Sequence, residues 1–269
     1  MKKIKVLALT ECGVMVALAT VLSLIQLGSF PTGGSITLAS MLPIVVVAYR
    51  HGIAWGLGAG FTASLAQMLL GLSAFSYVTT WQSVLAVALL DYIVAFAVYG
   101  LAGVFKKAFK KQYVALLSGA IFAGLLRYVC HVISGATVWA GLSIPDSAAL
   151  LYSLSYNATY MIPDTLILAL VGAYVGSVID FRRNVPTRIM RENISKLDAS
   201  FIALAGLSLL SGIIYDTVAV FTKLQSESGE FDITLLSNVN WLAVGIVTGA
   251  CVLASAGLFL AVYIRSLRE

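Results

Sequence analysis

The sequence predicts an all-α polytopic membrane protein with both termini cytoplasmic. Three observations carry this. Of 269 residues, 60 % are hydrophobic and 11 % charged, where an ordinary globular domain carries about 25 % charged residues. Apolar runs near the length that crosses a bilayer, about 20 residues, recur along the whole chain. The basic residues, finally, fall between alternate runs. This balance excludes a cytosolic enzyme, a disordered chain and a nucleic-acid binder in spite of a net charge of +5, and it names the lipid bilayer as the chain's solvent.

Eight runs qualify as spans: residues 6–27, 36–49, 53–70, 81–105, 113–137, 148–179, 200–220 and 241–264. The second is short and the sixth long, so the second is expected to be incomplete and the sixth bent or extended. Pro163 lies inside the sixth, where it removes one helical hydrogen bond. With the N-terminus inside, the inner segments hold Lys2, Lys3 and Lys5, then Arg50, then Lys106, Lys107, Lys110 and Lys111. They also hold Arg182, Arg183, Arg188, Arg191, Lys196, Arg265 and Arg268. That is 15 of the 17 basic residues, with Lys223 in an outer loop and Arg127 within a span. Positive charge retained inside sets this orientation, so the basic excess reports topology. The basic start and apolar run of residues 1–27 resemble a signal peptide, but Glu11 within the run, its length and the lack of an A-x-A-like site argue against one. Cys12, Cys130 and Cys251 all fall in spans with no metal-ligand spacing, so neither a metal site nor a disulfide is expected.

Domain organisation follows from one linker. Residues 182–198 are basic and polar and carry Pro186; they divide a six-span bundle, residues 1–181, from a two-span extension, residues 199–269. The extension's outer loop, residues 223–240, is acidic and polar. The first outer loop, GSFPTGGS (28–35), is of a composition that has little fixed structure. The second carries Tyr77 and leads into Trp81, and the third carries Trp139 and Pro145.

Polar groups within spans are costly and face protein or water. In the first block they are Glu11, Asp91, Arg127, His131, Asn157 and Asp164. At about 1.5 Å per residue, Asp91 and Arg127 both lie roughly 12–15 Å below the outer rim. His131 is one turn above Arg127 on the same face. Each has a plain structural alternative: Asp91 and Arg127 as a buried ion pair, His131 as a core histidine, Asn157 as an interhelical hydrogen-bonder, Glu11 as an interfacial group. Together with Tyr77, Trp81, Tyr92, Trp139, Tyr152 and Tyr156 near the same side, the set suits a small, flat, polar aromatic molecule carrying positive charge. Ring faces attract a cation, a carboxylate accepts from an amine, and an amide and a histidine fix orientation.

These residues sit in phrases that resemble the thiamin-specific S-components of energy-coupling factor (ECF) transporters. They are PTGGSITLASMLPIVVVAYRHG (31–52), LLDYIVAFAVYGLAG (89–103), LLRYVCHVISGATVW (125–139) and LYSLSYNATYMIP (151–163), in order from about residue 6 to 181. The resemblance implies a six-helix bundle with a vitamin pocket near the outer face, lined by Tyr92, His131, Trp139, Tyr152 and Asn157. A family glutamate falls on Asp91, one methylene shorter. An aromatic supplied ahead of that helix falls on Trp81 or Tyr77, and spacing favours Trp81. A tryptophan that some members carry in the first outer loop falls on Gly34, leaving that wall absent or supplied by Phe30. Gly13 and Ala17 match the small-residue pattern by which the family docks on a membrane coupling subunit.

What the resemblance implies is therefore a cell-membrane subunit of prokaryotic type that binds thiamin, or a related cationic aromatic vitamin, with no catalytic residue and no cofactor. Uptake would be driven by a coupling subunit and a pair of ATPases; no Walker-type GxxxxGK[ST] occurs in the chain itself. Alternatives within reach are another vitamin, an aminopyrimidine precursor of thiamin, or a carrier for which the extension replaces the ATPase module. An intramembrane enzyme with Asp91 and His131 as acid and base lacks an evident nucleophile. The two-span extension, with Asp216 inside its first span, lies outside the family pattern.

Overall fold

In a computed structural model the chain is described over residues 2–30, 33–139, 149–189, 195–227 and 231–266. Helix α1 (Lys2–Ser23) leads to an antiparallel hairpin, β1 (Gln26–Ser29) with β2 (Ser35–Thr37). Helices α2 (Leu42–His51), α3 (Ile53–Leu70), α4 (Trp81–Ala108), α5 (Gln112–Thr137) and α6 (Ala149–Val178) complete the first block. The extension is α7 (Lys196–Phe221) and α8 (Trp241–Ser266). Among the described residues seven helices are long and apolar enough to cross a membrane, and α2, at ten residues, is a shorter apolar helix. The third outer loop beyond Trp139, with Pro145, falls outside the described residues.

The short second span is a fully enclosed one. Residues Leu42 to Tyr49 of α2 are all buried, without a lipid-facing stripe. Its passage is lengthened on the outer side by β2 and a turn through Ala39, whose φ of 53° is positive. The first outer loop is thus more ordered than its composition suggests. Ser29 pairs with Ser35 and Gly28 with Ile36, and Gly33 and Gly34 supply the positive φ values, 122° and 86°, that close the hairpin. Thr37, where the strand ends inside the bundle, gives its backbone N–H and its hydroxyl to Asp164 Oδ1, both at 2.8 Å. Unsatisfied backbone is expensive in lipid, and this carboxylate on α6 satisfies the break.

Arg127 completes the arrangement. Its Nη1 donates to Asp164 Oδ2 at 3.2 Å, and its guanidinium carbon lies 4.4 Å from the centre of the Phe96 ring. The ion-pair alternative of the sequence, Asp91 with Arg127, is therefore corrected: the partner of Arg127 is Asp164. The long side chain reaches across to α6, and Asp91 is turned elsewhere by the irregularity of α4.

At the inner end Glu11 is structural, as its position suggested. It takes two hydrogen bonds from Arg50, at 2.6 and 2.7 Å, and contacts His51 Nε2 at 2.6 Å. Arg50 also donates to the carbonyls of Phe181, Arg183 and Asn184. This knot ties α1, the α2–α3 turn and the exit from α6. It also joins inner-side basic residues from two distant segments, as the charge distribution required.

Helices α3 and α4 approach backbone to backbone, as small residues permit. A Cβ on Gly100 would lie 2.2 Å from the backbone nitrogen of Leu57, and one on Gly56 would lie 2.8 Å from the carbonyl oxygen of Gly100. Gly100→Ala is therefore expected to force the helices apart. Detergent-purified protein should lose about 2–3 kcal/mol of stability, as for overpacking, read as a lowered unfolding temperature.

The extension packs on the bundle. Its two helices are joined at the inner end by Arg265 donating to Asp198 at 2.8 Å, and mid-membrane by Thr248 donating to Asp216 Oδ2 at 2.6 Å. On the outer side Phe221, Leu224, Phe231 and Val239 enter the same hydrophobic core as α2 and α6. The chain is thus continuous in packing across the linker, whose residues Thr187 and Arg188 pair with Ile179 and Asp180.

Candidate functional site

A cavity of about 730 Å³ opens between the hairpin, α4, α5 and α6 on the outer side. Its chemistry starts in α4. Residues Ala88–Ile93 form a π-helical stretch, a departure from α geometry that places side chains off the regular helical register and recurs at functional sites. This stretch carries Asp91 and Tyr92 into the cavity wall.

Asp91 is the centre of a hydrogen-bond network. Its Oδ1 lies 2.9 Å from His131 Nδ1. Its Oδ2 accepts from Ser134 Oγ at 2.6 Å and from Trp139 Nε1 at 3.0 Å. His131 Nε2 accepts from Arg127 Nε at 3.2 Å. Guanidinium has no acceptor, so Nε2 carries no proton and the hydrogen on Nδ1 is given to Asp91, which makes the imidazole neutral. Among the described lining residues the charged side chains are then Asp91 and Arg127, and Arg127 is neutralised by Asp164. The cavity keeps one net negative charge, on Asp91.

Aromatic rings surround it. Trp139 is buried and faces Tyr77 at 6.3 Å between ring centres. Tyr92 stacks on Phe75 at 5.6 Å and donates to the Gly71 carbonyl at 2.9 Å. Tyr152 and Tyr156 line the wall formed by α6, where the Tyr156 hydroxyl donates to the Gly33 carbonyl. Asn157 also lines the cavity. Its Nδ2 donates to the Ser153 carbonyl at 2.9 Å, and its Oδ1 accepts from Tyr160 at 2.5 Å.

Of the residues the sequence singled out, Asp91, Tyr92, His131, Trp139, Tyr152, Asn157 and Tyr77 all meet at this cavity. Trp81 does not, and the preference for it over Tyr77 is corrected. Residues Leu72–Tyr77 form a tight 3₁₀ turn that folds Tyr77 inward. Thr80 then caps the next helix by accepting from the Ser83 N–H, and Trp81, in the first turn, is 72 % exposed, at the level of an interfacial aromatic. The wall in question at Gly34 is present. A Cβ there would lie 2.6 Å from the Tyr160 ring, so that ring takes the space, and Phe30 lines the cavity beside it. Tyr160 was legible only as one of several tyrosines on α6. Phe231, from the extension, also lines the cavity; the signal in the sequence was a lone aromatic within an acidic polar loop.

Gly13 and Ala17 lie on an exposed face of α1. Nothing stands within 4 Å of the place a Cβ on Gly13 would occupy, so the extension leaves that position open. Among the described residues no group of three or more His, Cys, Asp or Glu side chains is placed to hold a metal ion.

Comparison with known proteins places the chain among thiamine transporters. The family described as Thiamine transporter protein (Thia_YuaJ) matches residues 9–178. The thiamine transporter ThiT of Bacillus subtilis is 36 % identical over 174 residues, covering 61 % of this chain and 86 % of that protein. ThiT of Lacticaseibacillus paracasei is 28 % identical over 141 residues, covering 49 % of this chain and 68 % of its own. The solved structure of ThiT from Listeria monocytogenes superposes with a TM-score of 0.53 at 25 % identity, over 64 % of this chain and 94 % of that one. The family match ends at residue 178, before the two-span extension.

Proposed function

The chain belongs to the thiamine transporter protein family, and we propose that its outer cavity binds thiamine through the Asp91 network for inward delivery across the cell membrane. The observation that carries the reading is the unneutralised Asp91 carboxylate set among aromatic rings in a cavity of about 730 Å³, a volume in the range of small-molecule sites. Thiamine is a small aromatic cation with an exocyclic amine. A carboxylate opposes its charge, ring faces attract it, and polar side chains orient it. The role is that of an S-component: a binding subunit without turnover, coupled to a membrane partner and two ATPases. The open small-residue face of α1 at Gly13 and Ala17 supports such docking, because small side chains let a partner helix approach closely.

The test is titration of detergent-purified protein with thiamine, followed by tryptophan fluorescence and by calorimetry. Trp139 at the cavity wall reports a ligand stacked nearby. Saturation at one ligand per chain, in the nanomolar to low micromolar range (about −12 to −8 kcal/mol), is expected. Competition with the aminopyrimidine precursor separates the two substrates. Sealed liposomes holding the chain alone should bind thiamine and not accumulate it; accumulation would establish a self-sufficient carrier.

His131→Ala is expected to weaken binding by about 1–3 kcal/mol, since Asp91 and Arg127 then both lose a partner at the wall. Calorimetry reads this directly, and a variant that folds normally and binds like the parent would remove His131 from the site.

A further inference from the structure

We propose that the two-span extension is part of the binding site, with Phe231 supplying a wall of the ligand cavity that governs how tightly thiamine is held and how slowly it leaves. The inference rests on the reading of the cavity as a thiamine site and goes beyond it, because Phe231 lies outside residues 9–178 that the family matches.

Phe231 is 5 % exposed although it belongs to a loop of polar composition. Its ring meets Tyr156 at 5.4 Å and Tyr152 at 5.1 Å, both edge-to-face, and Phe30 of the hairpin at 5.9 Å. All four rings line the cavity. Such edge-to-face groups hold one another beyond simple area burial. The backbone is fixed as well. The Tyr152 hydroxyl donates to the Phe231 carbonyl at 2.6 Å, and the Asp232 N–H donates to the Leu224 carbonyl at 2.8 Å.

The ends of the loop are anchored too. Upstream, the tilted Phe221 ring packs against Phe30 at 4.2 Å between centres and Leu224 is fully buried. Downstream, the Thr234 hydroxyl and N–H bind the Asp232 carboxylate at 2.7 and 2.9 Å, and these bonds hold its pKa below the usual carboxylate value. The extension therefore places one ring, at a fixed position, against two tyrosines of the vitamin cavity. Phe231 thus belongs both to the packed core and to the lining of the cavity.

The experiment uses the full chain with Phe231→Ala and Phe231→Leu. Thiamine affinity is measured by calorimetry, dissociation by stopped-flow tryptophan fluorescence, and stability by unfolding of the ligand-free protein. Phe231→Ala should bind about tenfold more weakly, with most of the change in a faster dissociation rate. Phe231→Leu keeps apolar volume but not the ring face; it should fall between Ala and the parent in dissociation rate while unfolding like the parent. If the parent binds thiamine and both variants match its affinity and dissociation rate, the proposal is overturned and the thiamine reading stands. If Phe231→Ala does not fold, Phe231→Leu decides: parent-like dissociation overturns the proposal. Failure of the parent to bind thiamine overturns the thiamine reading itself, a result distinct from either.

Discussion

Asp91→Asn is expected to remove high-affinity thiamine binding while leaving the chain folded. Asparagine matches aspartate in shape, so the π-helical stretch that carries it is not asked to repack. What changes is charge and donor-acceptor balance. Aspartate offers acceptors to three donors: His131 Nδ1, Ser134 Oγ and Trp139 Nε1. Asparagine offers one acceptor oxygen and an amide that donates. If the oxygen stays with Ser134 and Trp139, the amide faces His131 Nδ1 and calls for a proton on Nε2 instead. That proton would oppose the Arg127 N–H, which donates to Nε2 now. The network cannot satisfy both, and the cavity loses its net negative charge. Loss of a charge-assisted contact to a cationic ligand should cost about 2–3 kcal/mol, roughly a hundredfold in affinity. Calorimetry of the variant measures it. Asp91→Glu serves as the control, since it restores charge with a longer reach and should recover most of the affinity. If Asp91→Asn binds thiamine as the parent does, charge recognition at this site is excluded.

Much of this architecture was legible from elementary rules, and the exceptions have physical causes. The orientation followed from where lysines and arginines stop, since lipid imposes that rule on every loop. The short second span was visible as a short apolar run. Its remedy was not, because it depends on Asp164, more than a hundred residues away, satisfying Thr37. The composition of the hairpin implies little fixed structure because its glycines are turn residues in any context; here their positive φ values close a strand pair.

Residues on regular helix lie where helical spacing puts them. His131 and Asn157 reached the cavity as their helical positions indicated. Asp91 lines it too, bonded to His131 and not to Arg127, on a π-helical stretch that breaks the regular helical spacing. Trp81 and Tyr77 were exchanged for a similar reason, a 3₁₀ turn that no count of residues reveals. Phe231 was out of reach because a loop's destination is set by tertiary packing and not by its own composition.

The buried pair of Arg127 and Asp164 should give the largest effect on stability. Arg127 is 7 % exposed and Asp164 3 %, so both charges have left water. Asp164→Asn can keep the hydrogen bonds from Thr37, because the amide oxygen accepts as Oδ1 does now. It cannot keep the charge, and Arg127 is then left buried without a counter-ion. An orphaned buried charge of this kind costs about 3–5 kcal/mol, and the unfolding temperature of the ligand-free protein should fall steeply. The same substitution should lower thiamine affinity as well, because Arg127, which lines the cavity, is left with an unbalanced positive charge against a cationic ligand.

Arg127→Met is expected to be milder: the buried Asp164 carboxylate it leaves unpaired still holds two hydrogen bonds from Thr37. The double variant, Arg127→Met with Asp164→Asn, removes both charges at once and should be more stable than Asp164→Asn alone. That recovery is the coupling between the two sites. Loss of charge at Asp91 should move the dissociation constant with little change in unfolding temperature, while loss of charge at Asp164 should move unfolding first. If Asp164→Asn unfolds like the parent, the pair does not hold the bundle together, and the break before α2 must be sustained by the burial of its apolar residues alone.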